Sequence, residues 1–271
     1  MLELFASLFT YPFMLRAFLA GTLLALCAAL LGVILVLRRF SMIGDGLSHV
    51  GFGAMALATV MNASPLPVAL PVVCAASVFL LRFTRSGKTS GDAALAMLST
   101  GSMALGVLLI SMTEGMNVDV YNYLFGSILS MSKGMVLLSA ALSVLVLVLY
   151  IAFYNRLFAL TFDETFARAT GTRTGAYDLL LALLSAVVIV LGMRMMGALL
   201  ISALVVFPAL TSMRVFRTFR GVVLDAALMA VLCVWIGLTA SWLFAAPAGA
   251  SIVLALIAVY LVHAVIGLRR G

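Results

Sequence analysis

Charged side chains are scarce in this 271-residue chain. Only 9% of the residues are Asp, Glu, Lys or Arg, whereas 65% are hydrophobic, and the mean hydropathy is +1.28. A water-soluble fold of this composition would have too little polar surface to cover its core. The composition therefore excludes a soluble globular protein and predicts a polytopic integral membrane protein.

Cysteine and nucleotide-binding motifs are also nearly absent. Cys27, Cys74 and Cys233 lie in three different apolar segments without a C-x-x-C pair, which favours small buried hydrophobic residues over disulfides or a metal site. No G-x-x-x-x-G-K-[S/T] phosphate loop occurs, so the chain cannot by itself use ATP in the usual way. Nothing in the sequence predicts a permanently bound cofactor.

Long apolar runs fill the chain instead, separated by short polar breaks. Because the bilayer core offers no partner for backbone groups, these runs must be helices. The sequence predicts an all-α polytopic bundle in a single domain, residues 1–271, with about nine membrane segments, eight being possible. Pro208 in the seventh segment favours a kinked or half-spanning element there. The predicted segments cover residues 13–37, 44–60, 66–81, 93–112, 134–153, 175–191, 197–213, 222–244 and 250–268.

Basic residues alternate between the two sides of this predicted bundle. If the N-terminus is outside, thirteen of the sixteen Lys and Arg residues lie inside, and only Arg16, Lys133 and Arg194 lie outside. This positive-inside bias predicts an outer N-terminus and a cytoplasmic C-terminus. The net charge of +7 is then a topology signal, and no basic soluble module is present that predicts a nucleic-acid partner.

Asp45 and His49 stand four residues apart at the start of the second segment, in a chain with two histidines. On a helix they point to the same side, so a carboxylate oxygen and an imidazole nitrogen could contact one divalent ion. Polar pairs inside membrane segments usually mark a pathway. The alternative is that Asp45 caps the helix and His49 bonds to it. Around the pair, small residues allow close approach of another helix: Gly44, Gly46, Ser48, Gly51 and Gly53.

The longest polar break, at about residues 155–174, lies on the predicted cytoplasmic side. Within it, a short helix is expected over residues 163–170, capped by Thr161 or Asp163 and stopped by Gly171. Such a helix is either a docking element for a partner or a solvated linker.

Three further polar residues have conventional interpretations. Asp178 and Asp225 are expected in the first turns of the sixth and eighth segments, where acids complement the helix dipole. His263 is expected to be an interfacial histidine near the cytoplasmic end of the ninth segment.

Five blocks, in this order, resemble the permease subunits of bacterial ABC transporters for zinc, manganese or iron: "RRFSMIGDGLSH", "VDVYNYLFGSILSMS", "LTFDETFARATGTR", "GALLISALVVFPALTSMR" and "APAGASIVLAL". Zinc-uptake permeases are nearest, through the "VD…YLFG" and "PAG" blocks. The chain departs from the usual "PAATA"-like ending of the seventh segment, reading "FPALTS".

The resemblance implies a permease in the bacterial inner membrane that imports a divalent metal ion. It implies three partners: cytoplasmic ATP-binding subunits, an extracellular or periplasmic metal-binding protein, and a second permease copy. The transported ion, with zinc preferred and manganese or iron as alternatives, would contact Asp45 and His49. The family's ATPase-contacting coupling helix corresponds to Phe162, Asp163, Glu164, Phe166, Ala167, Arg168 and Gly171.

Two other functions remain open from the residues alone. One is an ATPase-independent secondary transporter of metal ions or small solutes, against which the coupling helix argues. The other is a polytopic membrane enzyme, which would need an acid, base or nucleophile cluster at a common depth.

Overall fold

The computed structural model describes residues 11–85, 91–112, 126 and 132–270. Across these residues the chain forms helices and no strand, which confirms the predicted all-α class. In chain order the helices are α1 Pro12–Leu37, α2 Ile43–Val60, α3 Pro65–Arg85, α4 Gly91–Ser111, α5 Lys133–Ala152, α6 Tyr154–Phe162, α7 Glu164–Ala169, α8 Thr174–Met196, α9 Ala198–Met213, α10 Phe219–Phe244 and α11 Ala248–Arg270.

Each predicted apolar segment lies on one of these helices. Within the described ranges, seven helices are long and apolar enough to cross a membrane, namely α1, α3, α4, α5, α8, α10 and α11. The 16 residues of α9 reach about 24 Å, short of a hydrocarbon core of about 30 Å. Seven candidate spans are therefore supported, and nine membrane segments with their orientation remain a prediction.

Local sequence signals set several helix starts. Pro12 occupies the first turn of α1, where its missing N–H costs nothing. Ser132 accepts a hydrogen bond from the Met135 N–H at 3.3 Å at the start of α5, and Thr218 accepts one from the Gly221 N–H at 3.3 Å at the start of α10. The proline and the two caps thus define where these three helices begin.

The most buried candidate spans are α1 and α8, which form the centre of the bundle. Helix α1 packs against α5, α9 and α10, and α8 packs against α3 and α9. Cys27 and Cys233 are buried and Cys74 is partly buried, all as free thiols, as expected for small hydrophobic residues. By contrast, α4 and α11 leave most of their surface uncovered by the rest of this chain.

The polar break at residues 155–174 is more helical than the sequence predicts. The sequence predicts α7 but not α6. The mixed polar and aromatic residues of α6 are typical of a loop when they are considered without their neighbours in space. In space it is amphipathic: Leu157 and Leu160 are buried, while Phe158 and Phe162 are exposed. The block at residues 118–132 lies outside the described residues except for Gly126 and Ser132.

Candidate functional site

Helix α2 owes its position to glycines that let other helices approach its backbone. A Cβ atom on Gly46 would lie 2.3 Å from the side chain of Leu95, and one on Gly53 would lie 2.6 Å from the carbonyl oxygen of Ser102. Both neighbours belong to α4. On another side, a Cβ on Gly51 would lie 2.6 Å from Met193 of α8. The predicted close approach at the small residues of α2 is confirmed.

The Asp45 and His49 side chains lie on the same side of α2. The Asp45 Oδ2 atom is 3.6 Å from the His49 Nε2 atom, which is too long for a normal hydrogen bond. The Asp45 side chain is 48% exposed and that of His49 is 19% exposed. The pair is thus adjacent, with the carboxylate facing out of the single chain.

Asp45 is not the capping residue of α2. The helix begins at Ile43, so Met42 occupies the cap position and makes no side-chain cap hydrogen bond, while Asp45 lies in the first turn. An acid there still benefits from the helix dipole. The Ser48 hydroxyl donates a hydrogen bond to the backbone carbonyl of Asp45 at 2.7 Å.

His49 borders an open groove of about 640 Å³ between α2 and α4. The polar residues along this groove are Ser99, Thr100 and Ser111, together with the thioether of Met103. The buried Nδ1 atom of His49 has no hydrogen-bond partner among the described residues. The His49 imidazole therefore lies at a groove wall that also carries hydroxyl and thioether groups, and the Asp45 carboxylate lies beside it on the same helix.

One chain provides few metal ligands at this place. In the described part of the chain, no group of three or more His, Cys, Asp or Glu side chains comes together. Asp45 and His49 therefore supply two donors and no more from these residue types.

Helix α7 has the structure that its sequence predicts. The Asp163 Oδ1 atom accepts a hydrogen bond from the Phe166 N–H at 2.8 Å, so Asp163 and not Thr161 is the N-cap. The Arg168 guanidinium donates to the Glu164 carboxylate at 2.9 Å along the same helix. Gly171 follows with a φ of +81°, a conformation that favours glycine.

The two sides of α7 differ in exposure. Ala167 is fully buried against the bundle, whereas Phe166 is 64% exposed and Phe162, just before the cap, is 59% exposed. The Arg168 side chain is 68% exposed. The end of α6 and the short helix α7 thus expose two aromatic rings and a cation.

Sequence reasoning missed a cluster that joins α7 to two other elements. The Arg38 guanidinium, in the linker between α1 and α2, donates from Nη1 to the Asp178 carboxylate on α8. Its Nη2 atom lies 3.7 Å from the Glu164 carboxylate on α7. Burial lowers the pKa of Arg38 and the Glu164 carboxylate opposes that shift, but an arginine so placed remains charged.

The first-turn interpretation of Asp178 and Asp225 is wrong. Neither acid lies in the first turn of its helix. Asp178 is fully buried in its contact with Arg38, and the Asp225 Oδ2 atom lies 3.7 Å from the His263 Nε2 atom between α10 and α11. His263 is mostly buried and also contacts the carbonyl of Val259 at 3.0 Å through Nδ1. Side-chain pairs between segments that are far apart in sequence leave no periodic pattern. The only sign of these pairs in the sequence is an isolated acidic residue near the start of a helix.

Comparisons with known proteins match this architecture along nearly all of the chain. The model of the ABC 3 transport family matches residues 10–267. The manganese transport system membrane protein MntC of Halalkalibacterium halodurans is 28% identical over 250 residues, 92% of this chain and 86% of that protein. The high-affinity zinc uptake system membrane protein ZnuB of Haemophilus influenzae is 29% identical over 238 residues, 88% of this chain and 91% of that protein.

A solved structure agrees with the fold as well. PsaBC from Streptococcus pneumoniae, in complex with Fab, superposes with a TM-score of 0.84 at 25% identity, covering 96% of this chain and 94% of that one. Family and fold together carry a plain conclusion. The chain belongs to the ABC 3 transport family and is a multi-pass transport subunit of the bacterial inner membrane, not an enzyme.

Proposed function

We propose that this chain is the permease subunit of an ATP-driven importer of divalent transition-metal ions, with zinc as its preferred cargo. The observation that carries the proposal is the adjacent pair of Asp45 and His49 on α2, of which His49 lines the groove between α2 and α4. Relatives named for manganese and for zinc transport support the metal class, and the shared ligand types make manganese or iron the alternatives. The ion is cargo, and no permanently bound cofactor is proposed.

The spacing of the pair suits a single zinc ion. Two ligands at about 2.1 Å from a tetrahedral zinc ion are roughly 3.4 Å apart. The separation of 3.6 Å between the Asp45 Oδ2 and His49 Nε2 atoms is close to that distance. Small side-chain rotations are enough to bring both donors onto one ion, which is consistent with transient binding.

A second copy of the chain would complete the pathway. The half-exposed Asp45 carboxylate is costly against hydrocarbon, so its open side requires protein or water. A two-fold symmetric pair of permeases would bring two Asp45 and two His49 side chains together and supply four donors. Four weakly held donors from two movable chains favour passage over the permanent retention of a structural zinc site.

The chain is oriented with the N-terminus outside and the C-terminus in the cytoplasm. The positive-inside bias of its loops supports this orientation, which places α6 and α7 on the cytoplasmic side. The remaining membrane segments, α2 and α9, have 18 and 16 residues and are shorter than the other seven. A Cβ on Gly44 of α2 would lie 3.3 Å from Ser202 of α9, so the two helices support each other inside the bundle.

Helix α7 is the contact for the ATP-binding subunits, within a coupling region at about residues 155–174 of a single permease domain. The exposed aromatic rings of Phe162 and Phe166 provide apolar anchors, and the cap at Asp163 and the turn at Gly171 keep the helix rigid. Glu164, Ala167 and Arg168 complete it. Family membership implies ATPase and solute-binding partners and does not favour the alternative of an ATPase-independent secondary transporter.

Radiometal uptake tests this proposal. The permease is reconstituted in vesicles with its ATPase and metal-binding protein, and zinc, manganese and iron are compared with and without ATP. We expect inward, ATP-dependent uptake that is fastest for zinc. Uptake that persists without ATP would support the secondary transporter, and faster uptake of manganese would overturn the zinc assignment while leaving the importer intact.

A further inference from the structure

Arg38 occupies the short linker between α1 and α2, the helix that carries Asp45 and His49. It follows α1 directly, and its backbone N–H donates to the Ile34 carbonyl at 3.0 Å as the helix ends. Helix α2 begins at Ile43, and Asp45 lies seven residues after Arg38. A displacement of Arg38 is therefore carried to the start of α2 through very little chain.

The guanidinium of Arg38 contacts carboxylates on two different elements. Nη1 donates to Asp178 on α8, and Nη2 faces Glu164 on α7 at 3.7 Å. The planar fork of arginine allows both contacts at once, which the single ammonium of lysine does not reproduce. One side chain thus joins the membrane core, the α1–α2 linker and the proposed ATPase-docking helix.

The two contacts differ in strength. The Asp178 side chain is fully buried and the Arg38 side chain is 14% exposed, so that pair is shielded from water and salt. The Glu164 side chain is 36% exposed, its contact with Arg38 is long, and it also pairs with Arg168. Arg38 is therefore anchored to α8 more strongly than it is tethered to α7, and a displacement of α7 changes the Glu164 tether first.

Chain connectivity alone does not provide this link. Helix α7 is joined to α6 and α8 by short turns, but it is more than a hundred residues from α2 in sequence. A cavity of about 30 Å³, large enough to hold a water molecule, adjoins the anchor and is lined by Arg38, Ser77 and Asp178 with apolar side chains. Ser77 and Asp178 beside this cavity are almost completely buried, and a packed interior favours discrete positions over gradual bending.

We propose that Arg38 is a positioning residue that transmits the movement of α7 to α2, so that the state of the ATPase sets the position of Asp45 and His49. This inference rests on the proposed roles of α7 and of the Asp45 and His49 pair. When the ATPase pulls on α7, the Glu164 tether shifts Arg38 and with it the start of α2. When the tether is released, α2 returns to the position set by the Asp178 anchor.

The test measures metal ions taken up per ATP hydrolysed in the reconstituted complex. Arg38→Lys keeps the charge beside Asp178 but loses the fork. The double variant Arg38→Gln with Asp178→Asn removes both charges of the anchor together, which avoids leaving one of them buried alone. We expect uptake per ATP to fall about five-fold or more in both, with membrane yield and ATPase co-purification unchanged.

Arg39→Lys is the matched control, because Arg39 is the exposed neighbour on the same linker. It should transport as the unmodified chain does. Unchanged uptake per ATP in the Arg38 variants would overturn the inference, and so would loss of ATPase co-purification in Arg38→Lys, which would assign Arg38 a purely structural role. If the unmodified complex itself shows no ATP-dependent uptake, the proposed function fails, and the two failures are distinguishable.

Discussion

The backbone of Gly53 touches the backbone of Ser102 so closely that a Cβ at position 53 would lie 2.6 Å from the Ser102 carbonyl oxygen. This contact holds α2 against α4 about one helical turn beyond His49. Since backbone atoms cannot rotate away, a side chain there has to separate the two helices.

Gly53→Ala should therefore destabilise the protein and impair transport. Overpacking of this kind costs about 1–3 kcal/mol. We expect a lower thermal midpoint in detergent and slower metal uptake. Gly101→Ala on α4 is the matched control, because a Cβ there meets nothing within 4 Å. Equal stability of the two variants would show that α2 and α4 are not held by this contact.

The sequence predicts most of the membrane-facing architecture because composition and backbone chemistry act locally. Each apolar run in a bilayer has to be a helix, and the cap at Asp163 and the stop at Gly171 are read from neighbouring residues. The sequence does not predict helix α6, because its apolar side at Leu157 and Leu160 is recognised only once the bundle that buries it is known.

The Arg38 cluster could not be predicted in the same way. Arg38 and Asp178 are 140 residues apart, and periodicity does not say which helices become neighbours. The same holds for Asp225 and His263, and for the groove that brings His49 next to Ser99 and Thr100. The spacing of Asp45 and His49, by contrast, predicts their adjacency because both lie on one helix.

Loss of the α7 cap should weaken ATPase binding. Asp163→Ala removes the acceptor for the Phe166 N–H and should cost about 1 kcal/mol of helix stability, which corresponds to a roughly five-fold weaker affinity if the ATPase requires the folded helix. The affinity is measured by titration of the ATPase subunit onto the reconstituted permease. Asp163→Ser, which restores a capping oxygen, should bind normally, and equal weakening by both variants would contradict a role for the cap.

Reversal of the α7 ion pair should uncouple hydrolysis from transport. Glu164→Lys with Arg168→Glu keeps opposite charges four residues apart, so the helix is retained. It also places a cation opposite Arg38 and inverts the charge offered to the ATPase. We expect little metal-stimulated ATP turnover and little uptake, measured side by side. If both survive, α7 is not the docking element.

The proposed metal pathway depends most directly on the side chains of Asp45 and His49. Asp45→Asn removes the charge and His49→Ala removes the imidazole, and neither should prevent membrane insertion, since Asp45 does not cap α2. His263→Ala provides the matched control, because His263 is the chain's other histidine and lies on α11, where it faces Asp225 of α10.

The most direct measurement is ATP-dependent radiometal uptake by vesicles containing Asp45→Asn, His49→Ala or His263→Ala permease with its ATPase and metal-binding protein. The account predicts at least about a ten-fold loss for the first two, because even partners of metal ligands typically contribute that much, and near-normal uptake for the third. Normal uptake by both the Asp45 and His49 variants would contradict the account and reduce the pair to a local contact on α2.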